Sequence, residues 1–115
     1  MFDFQNLDIY KRAKYFHVLC VSLIDNHSFS RVIVDQLTRA SFSIPLNIAE
    51  GSGRFSKPDR RNFYTIARSS VFECVAILDI LQDRQLITRK EYVSLEGVAD
   101  DISRILFAMI RNLQS

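Results

Sequence analysis

The chain is short of the residues that interrupt or cross-link a fold. Its 115 residues include only 3 glycines and 2 prolines. So few breakers exclude a protein of many short strands and tight turns and favour a few long regular elements. Cysteine is equally scarce. Cys20 and Cys74 each stand among apolar neighbours, which reads as two buried free thiols, not as a disulfide framework or a metal site. Of the two histidines, His17 and His27, neither has a carboxylate three residues before it, so the Glu-x-x-His motif of di-metal bundles is absent. No apolar run is long enough to span a bilayer; the most apolar segment, residues 71–81, contains Glu73 and Asp79. Residues 1–5 carry no basic region ahead of an apolar run, so no secretory signal is read and a cytoplasmic protein with no membrane partner is expected. A large excess of one charge is also missing. A net charge of +2 does not imply nucleic acid by itself, and the distribution of charge matters more than the sum.

What is present is an ordinary globular composition, 48% hydrophobic and 24% charged, in a length that fits one domain spanning residues 1–115. Apolar spacing of three and four predicts four helices. The first covers residues 8–25, with Ile9, Ala13, Phe16, Cys20, Leu23 and Ile24 on one face. After a polar break at residues 26–28, the second covers residues 29–50, with Ile33, Leu37, Ala40, Ile44 and Ile48 inward. Gly51 and Gly53 are expected to end it by accepting the left-handed conformation of a helix terminus. The third opens with Ser56 as cap, Pro58 in the first turn and Asp59 to complete a capping box, and runs to residue 82. The fourth repeats this logic with Thr88 and Glu91 and runs to residue 113 along Tyr92, Leu95, Ala99, Ile102, Leu106, Met109 and Leu113. Short connections favour antiparallel neighbours. The expected fold is all-α, an antiparallel up-down-up-down four-helix bundle whose second helix is kinked at Pro45.

Residues 71–81 are apolar on nearly every side, whereas a helix of a monomeric bundle needs only one apolar stripe. Val98, Ile105, Phe107 and Ile110 lie off the main seam of the fourth helix. Large exposed apolar patches mark interfaces. A homo-oligomer is therefore expected, with Val71, Phe72, Val75, Ile77, Leu78 and Ile105 at the subunit boundary.

The segment around Pro45 places Asn47 and Glu50 three apart, on one helical face, and Glu73 lies within the apolar part of the third helix. With too few ligands for a metal, these three are read as a structural polar network that fixes helix register, with Arg39 among the partners open to Glu73. Ser52 lies between two glycines, but no nucleophile elbow, phosphate-binding loop or dinucleotide fingerprint surrounds it. No catalytic residue, metal or cofactor is predicted, and a non-enzymatic protein is expected.

The clearest functional signal is basic. Arg54, Lys57, Arg60, Arg61 and Arg68 fall within 15 residues, opposed by Asp59 alone, with Phe55, Phe63 and Tyr64 interleaved. Such a patch can hold phosphates, with Tyr64 available to stack on a base, and a symmetric oligomer would repeat it. RNA or DNA is the expected ligand. The competing reading is a protein-interaction or structural scaffold whose arginines are only solvated ion-pair partners.

Residues Gln36-Leu37-Thr38-Arg39-Ala40, Ser43-Ile44-Pro45-Leu46-Asn47-Ile48-Ala49-Glu50-Gly51 and Gly53-Arg54 resemble the signature of a bacterial four-helix-bundle family. It is the family first noticed in intervening sequences of large-subunit ribosomal RNA genes, also called ribosomal protein of the S23 type. Phe63-Tyr64-Thr65-Ile66-Ala67-Arg68-Ser69-Ser70 and Glu73 continue the resemblance. It implies a homopentameric, barrel-like ring. A related branch, the accessory variability proteins of diversity-generating retroelements, binds nucleic acid and a reverse transcriptase through a positive surface. By that similarity Arg39, Arg54, Arg60, Arg61 and Arg68 are the implied binding residues here.

Overall fold

A computed structural model describes residues 1–114. Four α-helices follow a short 3-10 turn at Asp3–Asn6: α1 (Asp8–Asp25), α2 (Arg31–Ser52), α3 (Lys57–Asp83) and α4 (Arg89–Asn112). No strand occurs among the described residues. Each helix packs on its neighbours in the sequence, and α4 closes the ring against α1, which gives the antiparallel up-down order expected from the short loops. The bundle measures 44 × 27 × 22 Å, the long axis matching the roughly 40 Å rise of a 27-residue helix. Phe16, Leu37, Ile44, Ile48, Leu78, Leu81, Ile102 and Leu106 fill its centre, each fully buried.

The helix ends follow local chemistry. Thr88 and Glu91 form a reciprocal capping box at α4: the Glu91 N–H donates to Thr88 Oγ1 at 3.0 Å and the Thr88 N–H to Glu91 Oε1 at 2.8 Å. At α3, Ser56 Oγ accepts from the Asp59 N–H at 3.2 Å, but Asp59 returns no bond, so the expected box is a single cap. α2 begins at Arg31 rather than at residue 29 and continues through the buried Pro45 to Ser52. Its end corrects the reading of the glycines. Gly53 has φ −88°, and Gly51 lies within the last turn; neither is left-handed. Gly51 is there for space. A Cβ at that position would stand 2.8 Å from Tyr64 Cε1 and 3.0 Å from Phe63 Cβ, so its missing side chain is what lets α2 and α3 approach. The left-handed residue is Gln85, φ 59°, after α3. There the Leu86 N–H donates to the Leu81 carbonyl and the Gln85 N–H to the Gln82 carbonyl, both at 2.9 Å, the pattern of a Schellman end.

Two more expectations change. Val71 and Leu78, taken as subunit-boundary residues, are 1% and 0% exposed and belong to the core. Val75, Ile77 and Ile105 are half-buried against that core, and of the six only Phe72, 56% exposed, is mainly on the surface. The reason is that α3 touches both α2 and α4, so an apolar sequence on several of its sides is largely consumed within one subunit. The polar network also divides. Asn47 Nδ2 donates to the Ser43 carbonyl at 2.8 Å and to Ser43 Oγ at 2.9 Å, and Ser70 Oγ donates to Ser43 Oγ at 2.9 Å, which ties α2 to α3. Glu73 instead pairs with Arg39 at 2.8 Å, and Arg39 also donates to Gln36 Oε1 at 2.9 Å. Glu50 is exposed and joins neither group.

Candidate nucleic-acid interface

The turn between α2 and α3 brings three cations and one aromatic ring to the same end of the bundle. Arg54 is exposed, with its guanidinium 4.6 Å from the Phe63 ring centroid, a cation–π contact that orients it. Lys57 is exposed in the first turn of α3. Arg60 is half-buried and donates from Nε to the Arg54 carbonyl at 2.6 Å, fastening the turn to α3. Between Arg54 and Lys57, Phe55 is fully exposed.

The other predicted cations take structural posts. Arg61 Nη1 donates to the Leu113 carbonyl at 2.9 Å, satisfying a free carbonyl at the end of α4. Arg68 Nε donates to the Ser103 carbonyl at 3.3 Å, and its guanidinium lies 4.8 Å from the Phe72 centroid and 5.3 Å from Phe107. Arg39 is on the α2–α3 face, paired with Glu73. Tyr64 does not serve as a stacking surface: it is 5% exposed, packed over Gly51, with its hydroxyl 3.0 Å from Ser52 Oγ. Ser52 donates to the Ile48 carbonyl at 2.8 Å, which leaves the Tyr64 hydroxyl as donor between the two.

Two groups carry more weight here than the sequence reading gave them. Phe55 lies in the loop between Gly53 and the Ser56 cap, outside any helical period, and that position was the signal that it has no core to enter. Arg111, in the last turn of α4, reaches within 5.8 Å of the Phe107 centroid and extends the Arg68–Phe107 stack; nothing in its spacing marked it.

Burial shifts three titratable side chains of the core and its edge, Cys20, Cys74 and His17. Burial pushes the Cys20 thiol up to about 12 and drives Cys74 in the same direction, so both stay protonated and unreactive. Desolvation holds the imidazole of His17 below its usual range, and its Nδ1 lies 2.8 Å from Ser41 Oγ. Among the described residues no group of three His, Cys, Asp or Glu side chains could hold a metal ion. Among the described residues no helix is long and apolar enough to cross a membrane.

The family model of the 23S rRNA-intervening sequence protein matches residues 5–108. The chain belongs to this family. Among solved structures, a protein with unknown function from the S23 ribosomal protein family of Bacteroides thetaiotaomicron is similar at 27% identity and a TM-score of 0.83, over 89% of this chain and 97% of that one. No curated protein matches the chain. The intervening-sequence family match spans α1 to most of α4, so the bundle and the basic turn both lie inside the shared region.

Proposed function

We propose that this family member is a non-enzymatic, self-associating bundle of the cytoplasm that binds RNA or DNA through the basic turn between α2 and α3. The observation that carries the reading is Phe55, fully exposed between Arg54 and Lys57 and beside Arg60. The Arg60 bond to the Arg54 carbonyl and the Arg54–Phe63 contact order the turn, but they do not account for the exposed Phe55 ring or for the charge gathered around it. Cations near the N-terminus of α3 oppose its dipole, and an exposed phenyl ring forgoes burial. Contact with phosphates and bases accounts for both. Self-association, as a pentamer by the family resemblance, would repeat the turn around a symmetric assembly and strengthen weak contacts.

The test is affinity for a structured RNA over a salt series. Three phosphate contacts give a slope of log K against log salt of about −2 to −3. Reversal of Arg54, Lys57 and Arg60 to Glu removes most of that slope. A flat response in the unmutated protein rejects the reading. A reverse transcriptase belongs to the same proposal as a protein partner, and its co-purification before and after nuclease treatment separates direct contact from bridging by nucleic acid.

The scaffold reading has its own observation. Phe72 and Phe107 are about half exposed, and Phe72 edges a groove of about 660 Å³ between α3 and α4. Under that reading the three charge reversals leave every partner except acidic proteins bound.

A further inference from the structure

A second cavity lies at the basic end of the bundle. Its volume is about 590 Å³, and its walls include Phe2 and Phe4 of the N-terminal segment, Gly53 at the end of α2, Arg60 and Tyr64 of α3, and Met109 of α4. The N-terminal wall is organised. The Phe2 N–H donates to Gln5 Oε1 at 2.8 Å, and Phe2, Phe4 and Tyr10 form an edge-to-face chain with centroids 5.9 and 4.9 Å apart. Phe4 is half-buried in this chain, while Phe2, at its end, is 71% exposed.

We infer that this cavity receives an unpaired base, so that the ligand of the basic turn is a single-stranded or looped nucleic acid rather than a continuous duplex. The inference rests on the reading of the turn as a nucleic-acid surface and specifies what that surface takes. Three features of the cavity carry it. First, Arg60 lines it, and the bond from Nε to the Arg54 carbonyl fixes its guanidinium there while the terminal nitrogens stay available for a phosphate. Second, Met1, Phe2, Phe4, Leu7 and Met109 give the cavity an apolar wall beside the polar Asp3, Ser52 and Arg60, and the phenol of Tyr64 is engaged by Ser52, so a ring that enters meets apolar surface. Third, two aromatic side chains at this end are mainly exposed, Phe2 at the cavity and Phe55 two residues beyond Gly53, so each offers a ring face on which an unpaired base can stack. A duplex keeps its base faces stacked on one another and presents only edges and backbone, so it can use the cations but neither ring.

The experiment compares a single-stranded 20-nucleotide RNA, the same sequence as DNA, and the fully paired RNA duplex, by fluorescence anisotropy at one salt concentration. The single strands are expected to bind at least about tenfold tighter than the duplex, given one or two stacked bases. Phe2→Ala and Phe55→Ala each narrow that preference by about fivefold or more, as loss of one stacked base requires. Both side chains are on the surface, so circular dichroism should show unchanged helix content in each variant. Duplex affinity equal to or above single-strand affinity, or a preference that Phe2→Ala leaves unaltered, overturns the inference while the basic surface stands. Absence of binding to all three ligands overturns the surface itself and the inference with it. The RNA and DNA arms show whether the 2′-hydroxyl contributes.

Discussion

At the scale of single residues, two positions exchange the roles that composition assigns them. Gly51 is held by sterics, because a methyl group there meets the Tyr64 ring at 2.8 Å. Overpacking of this kind costs about 1–3 kcal/mol, more than the up to about 1 kcal/mol that alanine gains over glycine in a helix. Gly51→Ala is therefore expected to lower the urea midpoint. Gly97 is the control: a Cβ there meets nothing within 4 Å, so Gly97→Ala gains the helix term alone, about 0.5–1 kcal/mol, and raises the midpoint. Gln85 occupies the left-handed position after α3, where its side chain is strained and glycine is not. Gln85→Gly is expected to stabilise by up to about 1 kcal/mol in the same measurement, the reverse of the usual effect of adding glycine. These residues also show where sequence reading stops. A glycine after an apolar period signals a helix end, yet Gly51 answers to an aromatic ring 13 positions away, and nothing about glutamine announces a left-handed turn.

At the scale of helices, the sequence was most readable where the signal is local. The Thr88–Glu91 box at α4 formed as its spacing implied. It also has a pH signature. Glu91 is held below the usual glutamate range, chiefly by the hydrogen bond from the Thr88 backbone and also by His27, whose Nε2 lies 3.3 Å from its carboxylate. A carboxylate whose folded-state value is depressed stabilises the fold above the unfolded value of 4.5, and that contribution is lost as pH falls through the lower folded value. Glu91→Gln keeps an acceptor and loses the charge, so the difference in urea midpoint between the two proteins should be largest at neutral pH and shrink below pH 4.5. A difference constant from pH 7 to pH 3 would refute the linkage. Tertiary choices were less readable. Residues 71–81 show that an apolar helix is needed, but not how much of it α2 and α4 consume, because that depends on packing geometry that no period records. Leu78→Ala, at a fully buried site, is expected to cost about 2–5 kcal/mol, against less than about 1 kcal/mol for Phe72→Ala. A charged residue at Leu78 would unfold the subunit, so it cannot report on association.

At the scale of the whole molecule, exposed apolar surface lies along the face between α3 and α4. Of the six residues expected at a subunit boundary, Val71 and Leu78 are in the core, Val75, Ile77 and Ile105 pack against it, and Phe72 is exposed. Phe72 and Phe107, with Arg68 stacked on both rings, are about half exposed on this side of the bundle. If this face joins subunits, sedimentation of the unmutated protein gives a multiple of 13.3 kDa, fivefold for a pentamer, and replacing Phe72 and Phe107 together by Ser lowers the mass toward the single subunit with the helix content intact. Serine is the informative choice because it removes apolar area and leaves the net charge unchanged. Any loss of RNA affinity in this double variant then reports the loss of repeated binding turns, since Arg54, Lys57 and Arg60 are untouched. A wild-type mass of 13.3 kDa across the accessible concentration range would refute self-association and leave the α2–α3 turn to act as a single site.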